Sequence, residues 1–203
     1  MKKDNIIGKV VLKRYFIILI QLGGMRIMEE KYFMNREEIL EYLKILNEKL
    51  KEKNKYGEIG LVGGAVMCLC YRSREVTRDI DAIYEPKELI NKCIKETSEE
   101  FNIPTDWLND GVKGFLSEKA EFKQYLRFSN LVVNVAKPEY MLAMKCLSSR
   151  AENANEVEDI KYLIKFLNLK SYEEVEKVIV KYYPTERFLI KTRYLIMEVL
   201  DSE

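Results

Sequence analysis

Residues 58–84 read EIGLVGGAVMCLCYRSREVTRDIDAIY, and the fold is decided inside this stretch. Glu58–Val62 is an apolar run of the length of a short buried strand. Gly63-Gly64 follows it. Two glycines between a strand and a helix allow close backbone approach, and the free N–H groups at the start of the next helix suit a phosphate. Ala65 to about Arg72 reads as an apolar helix. After a gap of fourteen residues, Ala65–Arg78, comes Asp79-Ile80-Asp81. Arg78–Tyr84 alternates polar and apolar residues, the period-2 pattern of a strand with one wet face. That period puts Asp79 and Asp81 on one face, where they repel each other unless a cation bridges them. Two hard oxygen donors beside a phosphate cradle suit a Mg²⁺–nucleotide site. Taken alone, each half also reads as something ordinary: a glycine turn, and a solvated strand face.

Working outward, Asn35 is an N-cap candidate with Glu37 and Glu38 in the first turn of a helix. Ile39, Leu43, Leu46 and Leu50 carry it at helical spacing to Lys55, and Gly57 ends it. Pro86 suits the first turn of a helix running to about Phe101. Asn102–Ser117 is irregular and holds the only tryptophan, Trp107, which is expected in the core rather than against a ligand. Tyr125–Phe128 and Leu131–Ala136 predict two strands joined at Ser129-Asn130. Helices are expected from Pro138 to about Arg150, over Glu156–Leu167, over Tyr172–Tyr183 and over Glu186–Leu200. The order gives an α/β (α+β) fold: a small mixed sheet flanked by helices, then a C-terminal helical tail. The chain divides into an atypical extension (1–34), an α/β core (35–137) and a helical region packed on it (138–203).

With 203 residues the chain is long enough for one domain without disulfide or metal staples. Its net charge is +1. Residues 1–34 carry net +4 and the remainder net −3, so the excess basicity lies in the extension. The balance gives no global case for nucleic acid or a membrane surface. Histidine is absent, which excludes Ser-His-Asp and Cys-His catalysis and every histidine-ligated metal. Chemistry is left to carboxylates, lysine, hydroxyls and oxygen-bound metal. Cys68, Cys70, Cys93 and Cys146 form no C-x-x-C pair; Cys68 and Cys70, inside the apolar run Ala65–Tyr71, read as buried thiols, and the compartment is expected to be reducing and cytoplasmic. In the extension, Lys2, Lys3, Lys9, Lys13 and Arg14 precede the apolar run Phe16–Leu22. That run is too short to span a bilayer. An export signal, an extra packed element and a dispensable extension all remain open for it.

The Gly63-Gly64…Asp79-Ile80-Asp81 pair resembles the signature of the DNA polymerase β-like nucleotidyltransferase superfamily, with a gap at the long end of its range. Arg74, Thr77, Asp79, Ile80 and Asp81 look closer still to bacterial minimal nucleotidyltransferases, among them toxins of abortive-infection (type IV) toxin–antitoxin pairs. Trp107–Phe115 resembles one uncharacterised subfamily, as do Pro138–Lys145, Arg150 and Glu158-Asp159-Ile160. The resemblance covers about residues 35–170. It implies a Mg²⁺-dependent enzyme, with Mn²⁺ as a substitute, that moves a nucleoside monophosphate from an NTP to a hydroxyl of RNA, such as tRNA, or of protein. An antitoxin protein is an implied partner; a membrane is not. In this resemblance Asp79 and Asp81 hold the metal, and Gly63, Gly64, Arg74, Thr77 and Lys145 bind the nucleotide. Lys145 neutralises triphosphate charge, and Asp159 completes the metal shell or orients the acceptor.

One departure concerns the third carboxylate that the superfamily usually carries on a later strand. The matching strand, Leu131–Val135, has Asn134 there, and an amide brings no charge to a metal. A catalytically idle module binding nucleotide or a partner protein is therefore the second reading, and a purely structural interaction domain the third. By helical angle, Lys145 and Asp159 fall on the flanks of their apolar stripes, where a cleft residue and a plain surface charge look alike. Glu156 falls on the apolar side of its helix with no evident reason.

Overall fold

The cap read from Asn35 forms in full. In a computed structural model that describes residues 15–22, 25–148, 154–187 and 190–201, Asn35 Oδ1 accepts from the Glu38 N–H at 2.9 Å. Glu38 Oε2 accepts from the Asn35 N–H at 2.8 Å in return. This reciprocal box, worth about 1 kcal/mol, starts helix α1 (Arg36–Glu52). Its buried stripe of Ile39, Leu43, Leu46 and Leu50 is the one expected from spacing.

Five strands make the central sheet: β4 (Gly57–Leu61), β6 (Ile80–Glu85), β7 (Leu108–Asn109), β8 (Phe122–Arg127) and β9 (Leu131–Ala136). Their order is β7-β6-β4-β9-β8, with β4 antiparallel to β6 and parallel to β9. β7 runs parallel to β6, and β8 antiparallel to β9. One face presents Ile59, Leu61, Ile80, Ala82, Val133 and Val135, all fully buried. Helices α1 and α3 (Lys87–Phe101) cover it: a Cβ on Gly57 would meet Leu50 of α1 at 3.0 Å and Ile90 of α3 at 3.1 Å. Trp107 lies in this layer as expected, with no exposed surface. It stacks at a tilt on Tyr42 (5.2 Å between centroids) and donates from Nε1 to the Ile94 carbonyl. The other face carries Gly60, Asp81, Ile83 and Asn134, residues that alternate with the buried set.

Helices α4 (Pro138–Ser148), α5 (Ala154–Phe166), α6 (Tyr172–Tyr182) and α7 (Ile190–Asp201) form the C-terminal helical region. Tyr140 of α4 ties it to the sheet through an edge contact with Phe122, and meets Tyr182 at a tilt and Tyr183 in a stack. The molecule is thus a mixed α/β fold with a five-stranded mixed sheet and a helical C-terminal region. Among the described residues no helix is long and apolar enough to cross a membrane.

Several boundaries differ from expectation for physical reasons. Helical bonding begins at Gly63 itself: α2 (Gly63–Val66) passes into a π-turn, Met67–Tyr71, that ends on Arg72 in the left-handed region (φ 53°). β6 starts at Ile80, so Asp79 precedes the strand rather than lying in it. β8 begins at Phe122 instead of Tyr125, because a register shift between Gln124 and Leu126 breaks the alternation that marks a strand. Within the irregular stretch 102–117 lie β7 and a 3₁₀ turn, Gly111–Phe115. The extension holds a hairpin of β1 (Tyr15–Leu22) and β2 (Met25–Tyr32), which takes in the run Phe16–Leu22. Its last residues join the core: Met34 is fully buried, Tyr32 donates to the Tyr42 hydroxyl at 2.9 Å, and β3 (Met34–Asn35) pairs with β5 (Val76–Thr77). Lys2, Lys3, Lys9, Lys13, Arg14 and Arg150 lie outside the described residues.

Candidate active site

The strand-to-helix turn brings backbone against carboxylate. Gly63 stands at φ +66°, a conformation that strains any residue with a Cβ. A Cβ there would also lie 2.7 Å from Asp81 Oδ2. At Gly64 a Cβ would fall 2.5 Å from Thr77 Oγ1 and 3.2 Å from Arg74 Nη1. Both glycines are therefore required by close approach, and the groups that approach are three of the other residues singled out from sequence. The Val62 N–H donates to the Asp81 carbonyl at 2.9 Å, which locks the turn to β6.

Asp79 and Asp81 both face one cleft of about 800 Å³, although only Asp81 is in a strand. Burial, and then the neighbouring Asp79 charge, push Asp81 up to about 6, against a smaller opposing pull from Lys145. Asp79 is also raised by burial, with Arg78 pulling the other way. Thr77, buried, donates from Oγ1 to the Asp79 carbonyl at 3.2 Å and fixes the approach to the strand. In water-facing carboxylates such shifts do not arise; here two anions share a site whose charge is incompletely balanced.

The opposite arrangement holds Lys145 and Asp159. Asp159 on α5 is 1% exposed and Lys145 on α4 is 8% exposed, so both flank positions turn inward. Lys145 Nζ and Arg74 Nη2 each lie 2.6 Å from Asp159 Oδ2, and Arg74 Nε donates to Oδ1 at 2.9 Å. Oδ2 has no ideally angled hydrogen bond and is balanced by charge. Two cations thus share one buried anion. Lys145 and Arg74 line the cleft; the Asp159 carboxylate lies behind them and does not.

Gly63, Gly64, Arg74, Thr77, Asp79, Asp81 and Lys145 all line this one cleft, drawn from α2, the 72–79 loop, β6 and α4. Arg78 lines it from an exposed position. Asn134 does not: its register partner on β4 is Gly60, and its amide donates to Glu58 at 2.6 Å. Glu156, unexplained by its helical angle, faces the cleft. Among the described residues no three acidic or thiol groups converge as a metal cluster. The four cysteines are free and their thiols are raised by burial, Cys68 to about 11 and Cys146 to about 12. None is primed as a nucleophile.

Sequence reasoning assigned no role to Asn109, which pairs in register with Asp81 across β6 and β7. Its Nδ2 lies 3.5 Å from Asp79 Oδ2 and donates to the Asp106 carbonyl at 3.3 Å, while its Oδ1 accepts from the Gly111 N–H at 2.9 Å. The signal for it was present: Asn-Asp-Gly after a short apolar pair is turn chemistry, and an Asx side chain bonding two residues on is what such a turn needs. Phe33, Val112, Phe115 and Met144 also line the cleft. Comparison with protein-family models, with curated proteins and with solved structures finds no match for this chain.

Proposed function

We propose that the protein is a magnesium-dependent nucleotidyltransferase that moves a nucleoside monophosphate from an NTP to an acceptor hydroxyl on RNA or protein. The observation that carries this reading is the meeting, in one cleft, of a glycine cradle, two mutually repelling carboxylates and two cations. The finer fold assignment, a nucleotidyltransferase core, rests on the same motif order.

The donor set fits a divalent cation. Asp79 and Asp81 are both raised, so the ionised pair is unfavourable as it stands, and a cation relieves that repulsion. Two carboxylates suit Mg²⁺, which keeps several waters and takes further oxygens from substrate phosphates. Bound there, it would supply charge neutralisation for the transferred phosphoryl group. The chain's own residues do the rest by position and charge. Gly63 and Gly64 let the polyphosphate approach the backbone without a Cβ in the way. Lys145 and Arg74 present positive charge to it, held at fixed angles by Asp159. Asp159 is thus a positioning residue in this reading, in place of the metal-shell or acceptor role that the resemblance implied. Thr77 and Asn109 hold Asp79 toward Asp81. A toxin role beside an antitoxin partner stays with the resemblance.

A second reading, a nucleotide- or partner-binding module without turnover, is favoured by Asn134, which brings no third carboxylate and pairs with Glu58 instead. Incubation with each radiolabelled NTP and with total RNA or protein separates the two. Label transfer by the wild type that is lost in Asp81→Ala supports the enzyme. Binding of nucleotide with no transfer to any acceptor supports the second reading, and transfer that survives the substitution refutes the metal pair.

A further inference from the structure

The cleft lining is chemically mixed. Besides Gly63, Gly64, Asp79, Asp81, Arg74 and Lys145 it includes five apolar side chains, Phe33, Val76, Val112, Phe115 and Met144. A site for metal and phosphate alone has no use for the second set. We infer that these apolar residues, with Phe115 as the exposed ring among them, form the subsite for the nucleobase of the NTP. The inference rests on the nucleotidyltransferase reading and names what the rest of that site recognises.

Phe115 is 41% exposed, one of few large apolar side chains so open among the described residues, and no ring there stacks on it. Exposed aromatics scattered singly need no explanation; this one lines the cleft and is carried on a turn pinned from behind. The Tyr183 hydroxyl donates to the Phe115 carbonyl at 2.5 Å, and Arg187 Nη2 to the Gly114 carbonyl at 3.2 Å. At the start of the turn, Asp110 is held by Lys87 and Lys113 at 2.9 and 2.5 Å. The turn is therefore fixed by the C-terminal region and by α3, and it presents the ring at little ordering cost on binding. Phe33 reaches the same cleft from the strand pair β3–β5, adjacent to Met34, whose register partner is Thr77. The volume of about 800 Å³ lies in the range that encloses a nucleotide-sized ligand. Every base has a π-face, so stacking on Phe115 accepts all four with similar strength.

Calorimetric titration of the full chain with ATP and with inorganic tripolyphosphate, both with Mg²⁺, tests this. In the wild type ATP is expected to bind about tenfold or more tightly than tripolyphosphate, the usual worth of one base–aromatic stack. Phe115→Ala should remove most of that margin while leaving tripolyphosphate binding unchanged; Phe115→Trp should keep it. The added indole should also be quenched by ATP and not by tripolyphosphate, against the constant background of buried Trp107. Equal affinity of the wild type for the two ligands, or Phe115→Ala weakening both alike, overturns the base subsite while leaving the cradle intact. Failure of both ligands to bind with Mg²⁺ instead overturns the nucleotidyltransferase reading beneath it.

Discussion

Asp81 and Asp159 are both carboxylates withdrawn from water in the same part of the molecule, and their surroundings are opposite. Asp159 has two cations at 2.6 Å and sits behind the cleft wall. Asp81 has a second anion, Asp79, on the cleft side, and its carboxyl is pushed up to about 6. One carboxylate is balanced by cations of the protein; the other faces a like charge, and in the proposed function it is the one that a cation relieves. Buried charge with internal partners is framework, whereas buried charge without them is poised for a ligand.

Breaking the satisfied side should cost the most. Asp159→Ala leaves Lys145 and Arg74 facing each other without their shared anion, and a loss of about 3 kcal/mol is expected. Urea unfolding checks it; a loss under about 1 kcal/mol would show that the two cations find other partners. Asp81→Asn should do the reverse. Removing the unbalanced anion is expected to stabilise the metal-free protein by about 1–2 kcal/mol near neutral pH, with Lys145 giving back part of the gain. The same substitution should abolish Mg²⁺-dependent nucleotide binding. Thermal unfolding and titration on one preparation test both halves, and a destabilised Asp81→Asn would contradict the contrast with Asp159.

Smaller effects sharpen the picture. Because the folded-state value of Asp81 is raised from 3.8 to about 6, the native state holds more protons than the unfolded chain across that window. This carboxyl therefore makes metal-free stability fall as pH rises from about 4 to 6, a slope that Asp81→Asn should remove. Mn²⁺ affinity, followed by paramagnetic resonance, should drop as pH falls below about 6. Asn109→Ala should weaken Mn²⁺ about three- to tenfold, the worth of one amide hydrogen bond to a carboxylate, with little change in unfolding temperature. An equal loss of stability and affinity would make Asn109 part of the framework only.

Much of this was legible in the sequence, and the failures have causes. Helix α1 could be read because its cap and its apolar stripe are both local signals. The convergence of Gly63, Gly64, Asp79 and Asp81 followed from motif order alone. Lys145 and Asp159 sat at ambiguous helical angles, since what turns them inward is the packing of α4 on α5, a tertiary fact absent from either helix. Asn109 escaped because a two-residue strand has no periodicity to detect. The buried end of the extension escaped for a different reason: Met34 pairs with Thr77 far along the chain, and Tyr32 is tied by its hydroxyl to Tyr42 on α1, contacts that no local pattern announces.

The most direct measurement is titration of the wild type and Asp81→Ala with ATP, GTP, CTP and UTP, each with and without Mg²⁺. The expected result is binding of at least one nucleotide that requires Mg²⁺ and disappears in Asp81→Ala. Binding that ignores both the cation and the substitution, or no binding at all, would contradict the reading of Asp79 and Asp81 as the cation-holding pair.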